Sequence, residues 1–202
     1  MLQDTDCHKN LTNRPQTCPK VMVALGGNVA SHVGDPISTL TCSIEYLNDS
    51  QLEVEKVSQF YATPCFPAGS GPDYVNATAT FTGLTDPHAV LKTLHKVEAE
   101  FGRERNRRWG RRTLDLDLIS VGDMVLPDAD THAAWVNLTL DRQMHEEPDR
   151  LILPHPRLQD RAFVLIPLAE IAPDWIHPIS GLSVMEMVDA LPIAEKSAIR
   201  PL

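Results

Sequence analysis

Two carboxylates and a run of guanidinium groups stand side by side in the stretch Arg108-Trp109-Gly110-Arg111-Arg112-Thr113-Leu114-Asp115-Leu116-Asp117-Leu118-Ile119. From Thr113 to Ser120 the pattern alternates, with Leu114, Leu116 and Leu118 on one parity and Thr113, Asp115 and Asp117 on the other. That period of two predicts a half-buried strand. Asp115 and Asp117 then point the same way, their Cα atoms about 6 to 7 Å apart. Carboxylates so placed repel each other unless a cation joins them. Hard oxygen ligands without His or Cys beside them favour Mg²⁺, which takes one or two carboxylates and completes its shell with water and substrate phosphate. Zinc suits the set poorly.

Just upstream, Arg103, Arg105, Arg107, Arg108, Arg111 and Arg112 place six guanidinium groups within ten positions. A basic run alone is as often a solvated surface as a site. Guanidinium groups grip phosphate oxygens in pairs, so beside same-face carboxylates the run predicts a polyphosphate held between cations and metal.

Composition narrows the class. A chain of 202 residues with 43% hydrophobic content has room for one domain with a proper core. The net charge of −9 argues against a general nucleic-acid binder. Cys7, Cys18, Cys42 and Cys65 show no CxxC spacing, and the N-terminus lacks a basic-then-apolar leader, so reduced thiols in a cytoplasmic protein are expected. No apolar run is long enough to span a membrane.

The elements that must position the site follow in order. Residues 1 to about 19 are polar and aperiodic, which predicts a disordered extension ahead of a single domain over 20–202. Val21 to Leu25 reads as a buried strand ending in the turn Gly26-Gly27-Asn28. Asp35-Pro36 and Asp86-Pro87 are helix starts, an N-cap followed by Pro at the first helical position. The first helix shows Ile37, Leu40, Ile44 and Leu47 on one face; the second shows Leu91, Leu94, Val97, Glu98 and Phe101, with Gly102 to end it. Spacing alone makes Glu98 an ordinary surface residue near the Arg run. A strand is expected over Val54 to Tyr61, closed by Thr63-Pro64, then a Pro- and Gly-rich loop from Cys65 to Asp73. Tyr74 to Leu84 is a third strand with Tyr74, Asn76, Thr78 and Thr80 on one face, which from the strand alone is a solvent-facing side.

After the Asp strand, residues 123 to 150 are acidic and weakly periodic, predicting a long insertion loop at about 127–149, with a short hairpin as the alternative. Its His145-Glu146-Glu147 reads as surface. Two prolines make Leu153-Pro154-His155-Pro156-Arg157 rigid. Short helices are expected from Arg161-Ala162-Phe163 to Ile171 and from Ser183 to Leu191, the last packing on the sheet. The order matches an α+β, ferredoxin-like βαββαβ sandwich with a C-terminal extension.

Several stretches together resemble the 6-hydroxymethyl-7,8-dihydropterin pyrophosphokinase family: Ala24 to Asn28, Phe60 to Pro64, Pro72 to Ala77, Gly102 to Arg105, Arg108 to Asp117, Leu153 to Pro156 and Arg161 to Leu165. The resemblance spans about Val21 to Ser183 and implies transfer of pyrophosphate from ATP to the hydroxymethyl group of a reduced pterin, with release of AMP, in folate biosynthesis. It implies that Asp115 and Asp117 hold two Mg²⁺ ions, and that Arg103 and Arg112 act in catalysis. Glu98, Arg105, Trp109, Arg112, Arg150, His155 and Arg161 would contact ATP. Thr63, Pro64, Phe66, Tyr74, Asn76, Trp109 and Phe163 would bind the pterin, with Tyr74 and Phe163 stacking on its ring. A cytoplasmic enzyme, monomer or weak dimer, with no nucleic-acid or membrane partner is implied. The chain departs from the family pattern at Gly27, where Ser is usual, and at Arg111, where Pro is usual, and its insertion is longer than in compact members.

Three other classes compete. An RNA-binding module on the same plan exposes strand aromatics, whereas this acidic chain is 5% aromatic. A non-catalytic pterin- or nucleotide-binding relative would need Tyr74, Asn76 and Phe163 but not both Asp residues. A Mg²⁺-dependent phosphatase would need the metal ligands and no groups for a pterin edge.

Overall fold

The computed structural model describes residues 19–65, 71–102, 112–139, 142 and 145–202. Of the expected N-terminal extension, residues 1–18 lie outside the described residues. In chain order the elements are β1 (Val21–Gly27), α1 (Pro36–Asn48), β2 (Leu52–Val57), β3 (Tyr61–Thr63), β4 (Tyr74–Gly83), α2 (Pro87–Glu100), β5 (Asp115–Val121), α3 (Ala129–Val136), a 3₁₀ turn (Leu158–Asp160), α4 (Ala162–Ile171), α5 (Val184–Ala190), α6 (Ile193–Ala198) and β6 (Arg200–Pro201).

β1 is buried along its whole length because both of its faces are covered. Val21, Val23 and Leu25 meet Leu40, Ile44 and Leu47 of α1 and Val90, Leu94 and Val97 of α2. Met22 and Ala24 face the opposite way, under Val164, Leu165 and Leu168 of α4. The final expected helix, α5, joins this second core through Val184 and Met187 and packs on α4. Ile37, expected in the core, is 38% exposed at the start of α1.

Both Asp-Pro helix starts form as read. Asp35 Oδ1 accepts the Ser38 N–H at 2.8 Å, and Asp86 Oδ1 accepts the His88 N–H at 3.3 Å. Gly102 ends α2 at φ +80°, a left-handed conformation that glycine adopts without steric cost.

The sheet runs β5-β1-β4-β3-β6, with β2 also on β4, and every pair is antiparallel. β4 carries β2 along one half and β3 along the other, so the single strand expected over Val54 to Tyr61 is two. From Val57↔Ala79 to Tyr61↔Asn76 the outer chain advances four residues against three. Side chains fill the gap: Ser58 Oγ accepts the Thr78 N–H at 3.0 Å, and Glu170 of α4 accepts the Gln59 N–H at 2.8 Å. The β4 face expected to meet solvent is covered instead. Asn76, Thr78 and Thr80 are buried, and α4 packs on β4.

The insertion departs from the loop or hairpin expected of it. Asp128 caps α3, its Oδ1 accepting the Thr131 N–H at 2.8 Å and its Oδ2 the Thr131 hydroxyl at 2.9 Å. At the insertion's base Leu126 and Leu153 exchange backbone hydrogen bonds of 2.9 and 3.1 Å. The helix has no apolar stripe for periodicity to detect, since its one buried residue is His132. Among the described residues no helix is long and apolar enough to cross a membrane.

Candidate active site

β5 is an edge strand, and its alternation does what the sequence predicts. Leu116 and Leu118 enter the α1/α2 core, which turns Asp115 and Asp117 to the other face. In the register, Asp115 and Asn76 flank Gly26, while Asp117 and Thr78 flank Ala24. Each carboxylate meets a guanidinium: Arg112 Nη1 donates to Asp115 Oδ2, and Arg161 Nη1 donates to Asp117 Oδ2 at 2.6 Å. Burial pushes the Asp117 carboxyl up, but Arg161, His155 and Arg112 outweigh it and hold its pKa at about 2.

His155 is fixed from both sides. Its N–H donates to Ile119 O at 2.8 Å, and its Nδ1 accepts the Arg157 N–H at 3.0 Å. Burial, reinforced by Arg161, pushes its pKa down to about 4. The ring is therefore neutral near pH 7, with its proton on Nε2, the donor nitrogen left for a ligand oxygen.

A cavity of about 1120 Å³ runs beside β5, with Arg112, Asp117, His155, Arg157 and Arg161 in its lining, and His88, Leu91 and His95 along α2. Arg150 lines it too, its Nε and Nη2 donating to the two Asp149 oxygens at 2.9 Å each. Glu146 and Glu147, read from sequence as surface, also line this cavity.

Asn28 anchors the site at the end of β1. Its Oδ1 accepts the Arg112 N–H at 2.9 Å, its own N–H donates to Arg112 O at 2.9 Å, and its Nδ2 donates to Pro72 O at 3.2 Å. The tight turn expected at Gly26-Gly27-Asn28, with its backbone close to a ligand, is instead the end of β1, which pairs through Gly27. Arg157, two residues beyond His155, and His95, one helical turn before Glu98, line the cavity with no such expectation in the sequence.

On β4 and β3, the buried Asn76 donates from Nδ2 to Thr63 Oγ1 at 2.7 Å. Gly26 makes room for that amide: a Cβ there would lie 2.7 Å from Asn76 Oδ1. Pro64, next in the chain, is exposed. Tyr74 is half-buried; burial raises its phenol pKa, with Arg112 acting against and Asp115 with that shift, so the ring lies within electrostatic reach of the Arg112–Asp115 pair. Phe163 opens α4, 37% exposed, with the Arg161 guanidinium 5.7 Å over its ring.

Glu98 corrects the surface reading. It is 1% exposed, and its Oε1 accepts the Leu116 N–H at 2.8 Å, fastening β5 to α2. Helical spacing could not reveal that a strand edge lies opposite. Phe66, Arg103, Arg105, Trp109 and Arg111 lie outside the described residues. Among the described residues no group of three or more His, Cys, Asp or Glu converges as a metal centre. A cation at Asp115 and Asp117 would draw its remaining ligands from phosphate and water.

The sequence pattern of the 7,8-dihydro-6-hydroxymethylpterin-pyrophosphokinase family matches residues 22–173. The chain belongs to this family. A 2-amino-4-hydroxy-6-hydroxymethyldihydropteridine pyrophosphokinase of Synechocystis sp. is 38% identical over 179 residues, covering 88% of this chain and 79% of that one. A protein of the same name from Pseudomonas aeruginosa is 34% identical over 173 residues, covering 86% and 92%. The chain is thus a pyrophosphokinase, an ATP-dependent diphosphotransferase of folate biosynthesis. In fold it is similar to a Plasmodium falciparum HPPK-DHPS triple mutant solved with SDX-DHP, with a TM-score of 0.61 at 11% identity over 90% of this chain. This pyrophosphokinase spans 46% of that longer protein.

Proposed function

We propose that the chain moves the terminal pyrophosphate of ATP onto the hydroxymethyl oxygen of 6-hydroxymethyl-7,8-dihydropterin, with the cavity beside β5 as the ATP site. One observation carries this reading: Asp115 and Asp117 share a face of an edge strand, each paired with a guanidinium, and Asp117 and both guanidinium partners line a cavity that carries further cations. The hydroxymethyl oxygen attacks the β-phosphorus in line, the bond to the α-phosphate oxygen breaks, AMP leaves, and the hydroxyl proton passes to solvent. Such a transfer needs alignment and charge stabilisation more than a protein nucleophile.

Asp115 and Asp117 suit Mg²⁺, since two carboxylates with phosphate and water form its usual shell. Two such ions, when bound, would offset charge on the triphosphate. Arg112, Arg161 and the Nε2–H of His155 supply donors to phosphate oxygens, and Arg103, Arg105 and the cavity-lining Arg150 are assigned the same role. Glu98 serves this side indirectly by holding β5. Tyr74 and Phe163 take the pterin ring between them, Asn76, Thr63 and Pro64 read its edge, and Phe66 and Trp109 are assigned to the same ligand.

The sheet order supports the ferredoxin-like layout, with the second strand of the βαββαβ plan broken into β2 and β3. One sheet with cores on both faces supports a single domain over 20–202. A cytoplasmic monomer or weak dimer completes the reading.

The test is AMP formation from ATP and Mg²⁺ with and without the pterin, for the wild type and Asp117→Ala. Pterin-dependent AMP release that is lost in the variant is the expected result. AMP release indifferent to pterin would point to a phosphatase, and pterin binding without AMP to a binding protein.

A further inference from the structure

The inserted helix is tied into the molecule by a buried imidazole. His132 is 2% exposed, and its Nε2 lies 2.9 Å from the carbonyl oxygen of Pro154, so Nε2 carries the proton and donates. Its ring meets that of His177 edge-on at 5.7 Å between centroids, and His177 stands 5.7 Å from Trp175. His177 Nδ1 accepts the Ile179 and Ser180 N–H groups, both at 3.2 Å. A polar ring is costly to bury without such partners. The carbonyl that His132 holds belongs to the residue before His155, which lines the cavity.

Trp135 stands about one turn beyond His132 on the same helix, half-buried, and lines that cavity. It contributes the one indole among the described lining residues, with Leu91 of α2 and Ile152 as apolar company. A triphosphate draws on Arg112, Arg157 and Arg161 of the lining, which leaves a flat nucleobase to the uncharged part. A half-buried indole in the cavity lining is suited to stack on it.

We propose that α3 is a fixed wall of the nucleotide cavity, in which Trp135 contacts the nucleobase and His132 is the positioning residue that sets the helix against Pro154. The proposal rests on the cavity being the ATP site. It gives the insertion a role in ATP affinity rather than in transfer.

The experiment measures the ATP KM, kcat and pterin KM, and the Kd of a non-hydrolysable ATP analogue, for wild type, Trp135→Ala, Trp135→Phe, His132→Leu and His132→Gln, with circular dichroism to confirm folding. Trp135→Ala raises the ATP KM and the analogue Kd roughly tenfold, while kcat and pterin KM move far less; Trp135→Phe recovers most of the loss. His132→Leu shifts the ATP KM the same way, and His132→Gln, which keeps an amide donor near the Nε2 position, restores it. If His132→Leu does not fold, the comparison of His132→Gln with wild type and the two Trp135 variants decides. An unchanged analogue Kd in Trp135→Ala overturns the proposal and leaves the ATP-site reading standing. A loss that Trp135→Phe does not recover, or a His132→Gln protein with ATP affinity as poor as Trp135→Ala, also overturns it. A wild-type chain that binds no analogue overturns the ATP-site reading and this proposal together.

Discussion

Arg161 reaches from the turn before α4 to Asp117 on β5, 2.6 Å from Nη1 to Oδ2, so a cation and a carboxylate of the cavity lining, proposed above to serve phosphate and metal, are joined within the fold. The pair favours the charged form of the Asp117 carboxylate, and in the proposed mechanism it holds the guanidinium where charge develops on the transferring group. Arg161→Ala is expected to lower kcat by about 10²- to 10³-fold, with a smaller rise in ATP KM. Arg161→Lys, which keeps the charge without the two-pronged fork, recovers part of it. Steady-state AMP release measures both. A variant with unchanged kcat would remove Arg161 from the transfer step.

Glu98 holds β5 by accepting the Leu116 N–H, between Asp115 and Asp117 in sequence. Glu98→Ala leaves a buried strand N–H without an acceptor, which costs about 1 to 3 kcal/mol. The urea midpoint falls accordingly, and activity falls with it because the two carboxylates lose their shared support. Glu98→Gln keeps an acceptor oxygen and is expected to lose less of each.

The legible parts of this molecule were those set by local periodicity or local capping. Leu114, Leu116 and Leu118 alternate with Asp115 and Asp117, so the strand face of both carboxylates could be read from their spacing alone. Asp35-Pro36 and Asp86-Pro87 carry their own caps. What escaped depends on partners far away in the chain: the break between β2 and β3 is held by Glu170, 111 positions after Gln59. Glu98 looked solvent-facing because nothing in its helix says that a strand edge lies opposite. α3 escaped because its anchor is an imidazole, which no apolar pattern registers. The burial of the Asn76, Thr78 and Thr80 face of β4 is not readable from that strand alone because its cover, α4, comes from the other end of the chain.

The imidazole pair predicts an acid-sensitive fold. His177 is 4% exposed, and burial, with His132 beside it, pushes its pKa from the ordinary 6.5 down to about 4. The unfolded ring takes up a proton below about 6.5, while the folded ring resists until about 4. Its stabilising contribution is therefore full above pH 6.5 and is lost as pH falls towards 4, on the order of 3 kcal/mol. His132, also held low by burial, acts with the same sign. Denaturant unfolding at pH 7.5, 6 and 5 should show stability falling with pH. His177→Asn, which keeps an acceptor for the Ile179 and Ser180 N–H groups, should flatten that fall.

Gly27 stands where the family resemblance sets an expectation of Ser, and its surroundings explain the glycine in this chain. A Cβ at Gly27 would lie 2.6 Å from the carbonyl oxygen of Thr113 and 3.4 Å from Leu40 Cδ1. The obstacle is backbone, and that backbone cannot step aside freely: the neighbouring Arg112 is bonded to Asn28 through both its N–H and its carbonyl. Room for a hydroxymethyl group would come only by moving residues 112–113 away from β1. Arg112 would move with them, and with it the partner of Asp115. Gly27→Ser is thus expected to cost about 1 to 3 kcal/mol of stability and to lower kcat through Arg112 rather than through any contact of its own. Urea unfolding and AMP release on the same preparation check the two effects, and a stable, fully active Gly27→Ser protein would show that residues 112–113 have slack the Asn28 bonds do not remove.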